Sequence, residues 1–135
     1  MDGVREILQR VKRRDARVMT SVLTNIEVLS AKIPVGMDTL FKDAMRRFSR
    51  MSVDIRVAGI AHDLRNDSAV KGGKILKTPD SIHLATAILH RADEFHTFDD
   101  GLISLSGNVG GHRLIVCKPE ARNPQLDLRR PKQNE

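Results

Sequence analysis

The stretch Thr78-Pro79-Asp80-Ser81-Ile82-His83-Leu84-Ala85-Thr86-Ala87, followed closely by Thr97-Phe98-Asp99-Asp100, decides how the rest of the chain is interpreted. Its opening predicts a helix start, because Thr78 can act as a hydroxyl N-cap and Pro79 suits the first helical position. Asp80 then falls in the first helical turn, where the helix dipole favours a negative charge. The residues that follow are apolar on most of the helical circumference, so the sequence predicts a buried helix.

A short strand is predicted directly after this helix, over Glu94–Phe98, and it ends at Asp99. A carboxylate on the first turn of a buried helix and another at the end of the next strand can converge at one edge of a sheet. Convergent acids in such a crevice usually hold a hard cation. The sequence therefore predicts a candidate cation site that involves Asp80 and Asp99.

The size and composition predict one domain over residues 1–118, followed by a polar and disordered tail over residues 119–135. No run approaches the roughly 18 apolar residues of a membrane span, so no membrane association is expected. The chain has one cysteine, Cys117, which predicts neither a disulfide framework nor a cysteine zinc site and favours a reducing, cytoplasmic location. His62, His90, His96 and His112 show no metal-ligand spacing with one another and are interpreted as surface residues.

The charge balance favours an anionic partner, nucleic acid foremost, because 23 basic residues face 17 acidic ones and the formal net charge is +6. The chain has no Trp, no Tyr and four Phe, which argues against a protein that binds single strands by stacking bases on aromatic rings. The basic runs Lys12-Arg13-Arg14 and Arg46-Arg47 could contact RNA phosphates, or they are solvated helix faces.

The remaining pattern alternates helices with short apolar runs. The predicted elements are an amphipathic first helix around Val4–Val11, a strand over Arg17–Thr20, a helix that carries Glu27, a helix over Met37–Phe48, a strand or helix start over Val53–Val57, a helix over Ala58–Ser68 and a last strand over Leu114–Cys117. This alternation predicts an α/β domain with a mostly parallel sheet flanked by helices.

Three carboxylates stand out by their positions, namely Glu27 within a helix, Asp80 at a helix start and Asp99 at a strand end. Three such groups brought together repel one another unless a cation compensates their charge. Mg²⁺ or Mn²⁺ suits oxygen ligands and keeps water that can attack a phosphodiester. The alternative is that Glu27 and Asp80 are solvated or capping residues and Asp99 is a turn aspartate. Spacing alone leaves both interpretations open.

Three segments together resemble the PIN-domain family, and especially its VapC-like toxins. Thr20–Leu29 resembles the family's "T-S-x-L-T-x-x-E-V-L" segment. Thr78–Ala87 is similar to the "x-x-D-x-x-H-L-A-x-A" helix, and Thr97–Asp99 to the "T-x-D" strand end. The resemblance extends roughly from Val4 to Val116, and the order of elements agrees throughout.

The resemblance implies a three-layer α/β domain with the activity of a Mg²⁺- or Mn²⁺-dependent endoribonuclease. Such a protein is usually a toxin held in check by a cognate antitoxin, and often a homodimer. Glu27, Asp80 and Asp99 match the acidic, metal-binding positions of the family, and Thr97 matches the hydroxyl beside them. Asp100 adjoins this site without a definite counterpart. His83 lies one turn after Asp80, and a packed or hydrogen-bonded role is favoured over a ligand role.

The chain departs from the family pattern at its N-terminus. PIN domains open with a central strand that carries a first aspartate, in a pattern like "D-x-S/N-x-L", whereas this sequence enters a helix at once. Asp2 is therefore not assigned that role, and the first strand is expected to be absent. Two explanations remain open: the assigned start lies downstream of the true one, which we favour, or the chain is a non-catalytic PIN-like domain that binds RNA or a partner protein.

Overall fold

A computed structural model describes residues 2–24, 36, 38–67 and 75–119 of the chain. Within these residues helices alternate with short strands, as the sequence predicts. In chain order the elements are α1 (Asp2–Lys12), β1 (Met19–Ser21), α2 (Asp38–Met45), β2 (Ser49–Met51), α3 (Ile55–Asn66), α4 (Thr78–Leu89), β3 (Glu94–His96), α5 (Asp100–Ile103) and β4 (Ile115–Cys117). Asp2 opens a helix and not a strand, in agreement with the departure noted at the N-terminus.

The described strands pair in parallel, which confirms the predicted strand direction. β1 pairs with β2, and β3 pairs with β4, so the described strands form two separate two-stranded sheets. Helix α4 contacts both β1 and β3 and thereby links the two sheets. The described part of the chain thus builds one α/β unit around α4, although its strands do not form one continuous sheet.

The main hydrophobic core lies where α3 and α4 pack together, with β4 and the segment after α5 closing it. Leu84 and Ala85 of α4 and Val57 of α3 have no exposed surface. The prediction of a buried helix over this stretch is therefore confirmed. Within the described residues, no helix is both long enough and apolar enough to cross a membrane.

A second, smaller cluster joins the two N-terminal helices. Leu8 of α1 is buried, and Val4, Leu40 and Phe48 pack against it. This cluster holds α1 against α2 and confirms the predicted apolar face of the first helix. The predicted tail over residues 119–135 lies outside the described residues except for Pro119.

The start of α4 differs by one residue from the prediction. Lys77, not Thr78, is the N-cap, and its side chain makes no capping hydrogen bond. The first helical bond runs from the Ser81 amide to the Lys77 carbonyl at 2.9 Å, so Thr78 is already helical. Asp80 stays in the first turn, as predicted.

The prediction of a strand over Val53–Val57 is wrong, and the alternative of a helix start is correct. The strand lies earlier, at Ser49–Met51, and α3 begins at Ile55. Asp54 causes the change, because its Oδ1 accepts hydrogen bonds from the amides of Arg56 and Val57 at 3.0 and 3.1 Å. This N-cap overrides an alternation of apolar and polar residues that imitates a strand.

The Asp54 cap predicts a pH-dependent stability. The side-chain hydrogen bond from Arg56 and the amide bond from Val57 lower the pKa of Asp54 below its ordinary value of 3.8. A lowered folded-state pKa stabilises the fold above the ordinary value, and that contribution is lost as the pH falls through the folded-state pKa. Asn can still cap a helix but carries no charge. We expect Asp54→Asn to melt below the unsubstituted chain at pH 7 and at the same temperature well below pH 3.8.

Asp54→Ala is the matched comparison, because it removes the cap together with the charge. Its melting temperature should fall below that of Asp54→Asn at every pH. Equal melting temperatures for all three chains at neutral pH would show that the cap contributes nothing to stability.

Candidate functional site

A tight reversal of the chain connects α4 to β3. Arg91 adopts a left-handed conformation with φ of 55°, and the Ala92 amide donates to the Ala87 carbonyl at 2.9 Å. This is the hydrogen-bond pattern of a helix C-terminal cap, and it turns the chain back along the helix. The strand that follows, β3, contacts α4.

Asp80 lies on the helix before this reversal, and Asp99 follows the strand after it. At 1.5 Å per residue, Asp80 lies about 14 Å from the end of α4 at Leu89. β3 covers only Glu94–His96, about 7 Å at 3.3 Å per residue, and the chain bends at Phe98 before it reaches Asp99. Asp80 thus stands in the first turn of α4 and Asp99 three residues after the end of β3, and their convergence at one edge stays a prediction.

Asp99 is held in a defined orientation by the short helix that follows it. Its Oδ1 accepts hydrogen bonds from the amides of Gly101 at 2.8 Å and Leu102 at 3.2 Å, and so caps α5. The Asp99 amide donates to Thr97 Oγ1 at 3.1 Å. Among the described residues, no hydrogen bond uses Asp99 Oδ2. One oxygen therefore has the predicted turn role, and the second remains available to a ligand.

The absence of a side chain at Gly101 allows this cap to close. A Cβ at that position would lie 3.0 Å from Asp99 Oδ1, which is closer than side chains normally approach. Thr97 is half-buried, and its hydroxyl accepts a bond from the backbone of Asp99. Thr97, Asp99 and Gly101 therefore form one local unit at the end of β3.

His83 connects α4 to the end of β1. Its Nδ1 lies 3.2 Å from the hydroxyl of Ser21, which is buried, and that hydroxyl also accepts a bond from the Leu23 amide at 3.2 Å. The expectation of a hydrogen-bonded His83 is confirmed. The contact of Ser21 with His83 is a finding of the structure, because the two residues are 62 positions apart in the sequence.

The structure describes two of the three remaining acidic residues that the sequence placed at or beside the site. Asp80 is half-buried in the first turn of α4. Glu27 lies outside the described residues. Asp100 is exposed in the first turn of α5, and its Oδ1 lies 3.4 Å from Lys118 Nζ, so it forms a surface ion pair.

A basic groove of about 390 Å³ lies beside the end of α1. We call it the arginine groove; its lining residues are Val11, Arg14, Ala16, Arg17, Arg47 and Ser49. The neighbouring Arg13 pairs with Glu6 and Asp15, at 3.6 and 3.3 Å. Within the described ranges, no ion pair involves Arg14, Arg17 or Arg47. The groove therefore gathers cationic side chains whose charge the described part of the chain does not compensate.

Comparison with known proteins identifies the family. A family model described as the PIN domain matches residues 2–108 of the chain. The chain belongs to the PIN-domain family. PIN domains generally bind divalent metal ions and act as nucleases, and PIN nucleases act on RNA. No curated protein and no solved structure matched the chain.

Proposed function

We propose that this PIN domain is a metal-dependent endoribonuclease that uses Asp80 and Asp99, together with Glu27 and Thr97. The observation that supports the proposal is the match to the PIN family, in a chain that places Asp80 in the first turn of α4 and Asp99 just after β3. Glu27 enters through the sequence motif alone, and it provides the third carboxylate.

These residues suit a hard cation. The donors are carboxylate oxygens, which Mg²⁺ and Mn²⁺ prefer, and Asp99 Oδ2 is available because Oδ1 is engaged in the cap. When bound, such an ion neutralises charge on the phosphodiester and lowers the pKa of water beside it. Asp80, Asp99 and Glu27 would hold the ion. Thr97 Oγ1, which accepts from the Asp99 amide, keeps its proton free to orient a water or a carboxylate.

The experiment that tests this function is cleavage of RNA by the purified chain. We expect Mg²⁺ or Mn²⁺ to support internal cleavage and EDTA to abolish it. RNA that is bound but left intact in Mg²⁺ would favour the alternative of a non-catalytic PIN-like domain. Cleavage that continues in EDTA would exclude the proposed chemistry.

The arginine groove is proposed to hold the phosphate backbone of the RNA. Arginine suits phosphate because its planar guanidinium donates two parallel hydrogen bonds. Arg14 gives a separate argument, because it adopts φ of 64° at the C-terminal cap of α1, where glycine is the usual residue. Arg14 therefore brings its charge to the groove from a strained backbone position.

This groove predicts two effects that a folding defect would not produce together. Arg14→Gly should relieve the positive φ and raise the melting temperature, yet weaken RNA binding. Arg17→Gln should weaken binding and reduce the slope of log K against log salt by about 0.7, the value for one contact to a single strand. Filter binding of a single-stranded RNA across a salt series measures both.

Arg13→Gln is the matched control, because Arg13 belongs to the same basic run but pairs with Glu6 and Asp15. Its RNA affinity and salt slope should stay close to those of the unsubstituted chain. If Arg13→Gln and Arg17→Gln weaken binding equally, the groove is not the RNA site and only the net charge matters.

The toxin role is proposed on the VapC-like motifs. In that role the partner is a cognate antitoxin, the chain is a homodimer and the location is cytoplasmic. Expression of the chain in a host without the antitoxin should then arrest growth, and Asp80→Asn should relieve the arrest.

A further inference from the structure

Three chemically different side chains meet on the pair of strands β3 and β4. They are Glu94 and His96 of β3 and Cys117 of β4. Residues two apart on a strand point to the same face, and His96 is the register partner of Cys117, so all three stand on one face of the pair. The opposite face carries Phe95 and the buried Val116, which belong to the main core.

The ligand atoms of this group lie close together. His96 Nε2 is 2.7 Å from Glu94 Oε2, and Cys117 Sγ is 3.9 Å from the same oxygen. One ligand atom from each side chain lies within 4.8 Å of the other two. Glu94 and Cys117 are half-buried and His96 is exposed, so an ion can reach the group from solvent.

We propose that Glu94, His96 and Cys117 form a zinc site, separate from the carboxylate site of the nuclease. Thiolate, imidazole and carboxylate are the three kinds of ligand that zinc takes from proteins. A thiolate is a soft ligand that Mg²⁺ does not favour, whereas Zn²⁺ binds it strongly. Three protein ligands leave a fourth tetrahedral position for water.

Only small movements separate the observed geometry from a coordinated one. With bond lengths of 2.0–2.3 Å, ligand atoms around a tetrahedral zinc lie about 3.3–3.6 Å apart. The oxygen–sulfur distance of 3.9 Å must shorten slightly. The nitrogen–oxygen distance of 2.7 Å must open, as the hydrogen bond is exchanged for two bonds to the metal. Rotation about side-chain bonds can supply both changes, and Cys117 releases its proton when it binds.

The site would fasten β3 to β4 just before the proposed nuclease residues Thr97 and Asp99. The Thr97 amide already donates to the Cys117 carbonyl at 2.9 Å, immediately before the segment that carries Asp99. Bound zinc would cross-link the strands at the same point through their side chains. An ion that binds the folded chain more tightly than the unfolded one raises the melting temperature.

The test is a titration of the full chain with Zn²⁺, in competition with a chromophoric chelator, followed by thermal melting. With Mg²⁺ in excess to occupy the carboxylates of the proposed nuclease site, we expect one Zn²⁺ per chain and a higher melting temperature. Titration with Co²⁺ should produce a near-ultraviolet thiolate-to-metal band. Cys117→Ser should abolish that band and weaken zinc binding by more than the about 10–100-fold that loss of an outer-shell partner causes. His96→Gln should weaken zinc binding to a similar extent.

His62→Gln is the matched control, because His62 Nδ1 also lies near a carboxylate, at 3.4 Å from Asp63 Oδ1. Within the described ranges, that pair is not part of a group of three potential ligands. The thiolate-to-metal band should be unchanged in His62→Gln and in Asp99→Asn, so this readout does not depend on the proposed nuclease site. Absence of zinc binding, or equal affinity in Cys117→Ser and the unsubstituted chain, overturns the proposal.

Discussion

Replacing Asp99 with Asn should reduce RNA cleavage by about 100–1000-fold, comparable to the loss of one preorganised charge-stabilising group in other enzymes. The fold should be retained, because an Asn side-chain oxygen can still accept the bonds from Gly101 and Leu102 that cap α5. What the substitution removes is the negative charge of the second oxygen, which is the proposed cation ligand. The measurement is kcat/KM for a defined RNA in saturating Mg²⁺, together with the melting temperature.

Asp100→Asn is the matched control for this experiment. Asp100 is the next residue, is exposed, and pairs with Lys118 at the surface. Its removal should leave cleavage close to the original rate, since surface ion pairs contribute little. Asp80→Asn should resemble Asp99→Asn. Full activity in both Asp80→Asn and Asp99→Asn would contradict the assigned site.

The second large effect concerns the stability of the core. Leu84 lies on α4, shows no exposed surface and belongs to the cluster that joins α4 to α3. Leu84→Ala should lower the free energy of unfolding by about 2–5 kcal/mol, the range for buried leucine truncations. A domain is typically stable by only about 5–15 kcal/mol, so this variant should lose much of its stability. Unfolding in urea, followed by circular dichroism, measures the change.

Ile55→Ala is the comparison, because Ile55 is a large apolar residue on α3 that is 87% exposed. Its free energy of unfolding should change by no more than about 0.5 kcal/mol, as is usual for surface substitutions. Equal losses in Leu84→Ala and Ile55→Ala would mean that α4 is not the centre of the core.

Helical periodicity identified the elements that pack the core. The apolar run from Ile82 to Ala92 predicted a buried helix, and the structure buries Leu84, Ala85 and Ala87 there. The parallel direction of the strands also followed from the alternation of helices and strands. The burial of a helix and the direction of the strands both depend on patterns that recur along the chain. Short stretches of sequence are therefore enough to predict them.

The first and last residues of the elements depend on single hydrogen bonds, which the spacing of apolar residues does not reveal. Asp54 ends an apparent strand because it caps α3, and the Lys77 carbonyl starts α4 one residue early. In each case one local bond outweighs the apolar spacing. Capping residues read from sequence therefore fix the existence of a helix better than its first residue.

The candidate site also combines features that local sequence predicts with features that only the structure reveals. The positions of Asp80 in the first turn of a helix and of Asp99 after a strand could be predicted, because both depend on local pattern. The bond between Ser21 and His83 joins residues 62 positions apart, and no local pattern reports such a contact. The Glu94, His96 and Cys117 group depends on the register of β3 with β4, so spacing along the chain did not reveal it.

Mn²⁺ binding measured by electron paramagnetic resonance tests most directly whether Asp80 and Asp99 share one divalent cation. The unsubstituted chain, Asp80→Asn, Asp99→Asn and the double variant form a complete cycle. If both carboxylates hold the same ion, each single variant should lose the tight Mn²⁺ site and the double variant should lose nothing more. Cys117→Ser should bind Mn²⁺ as the unsubstituted chain does. Additive losses, or tight binding retained in either single variant, would contradict a shared ion.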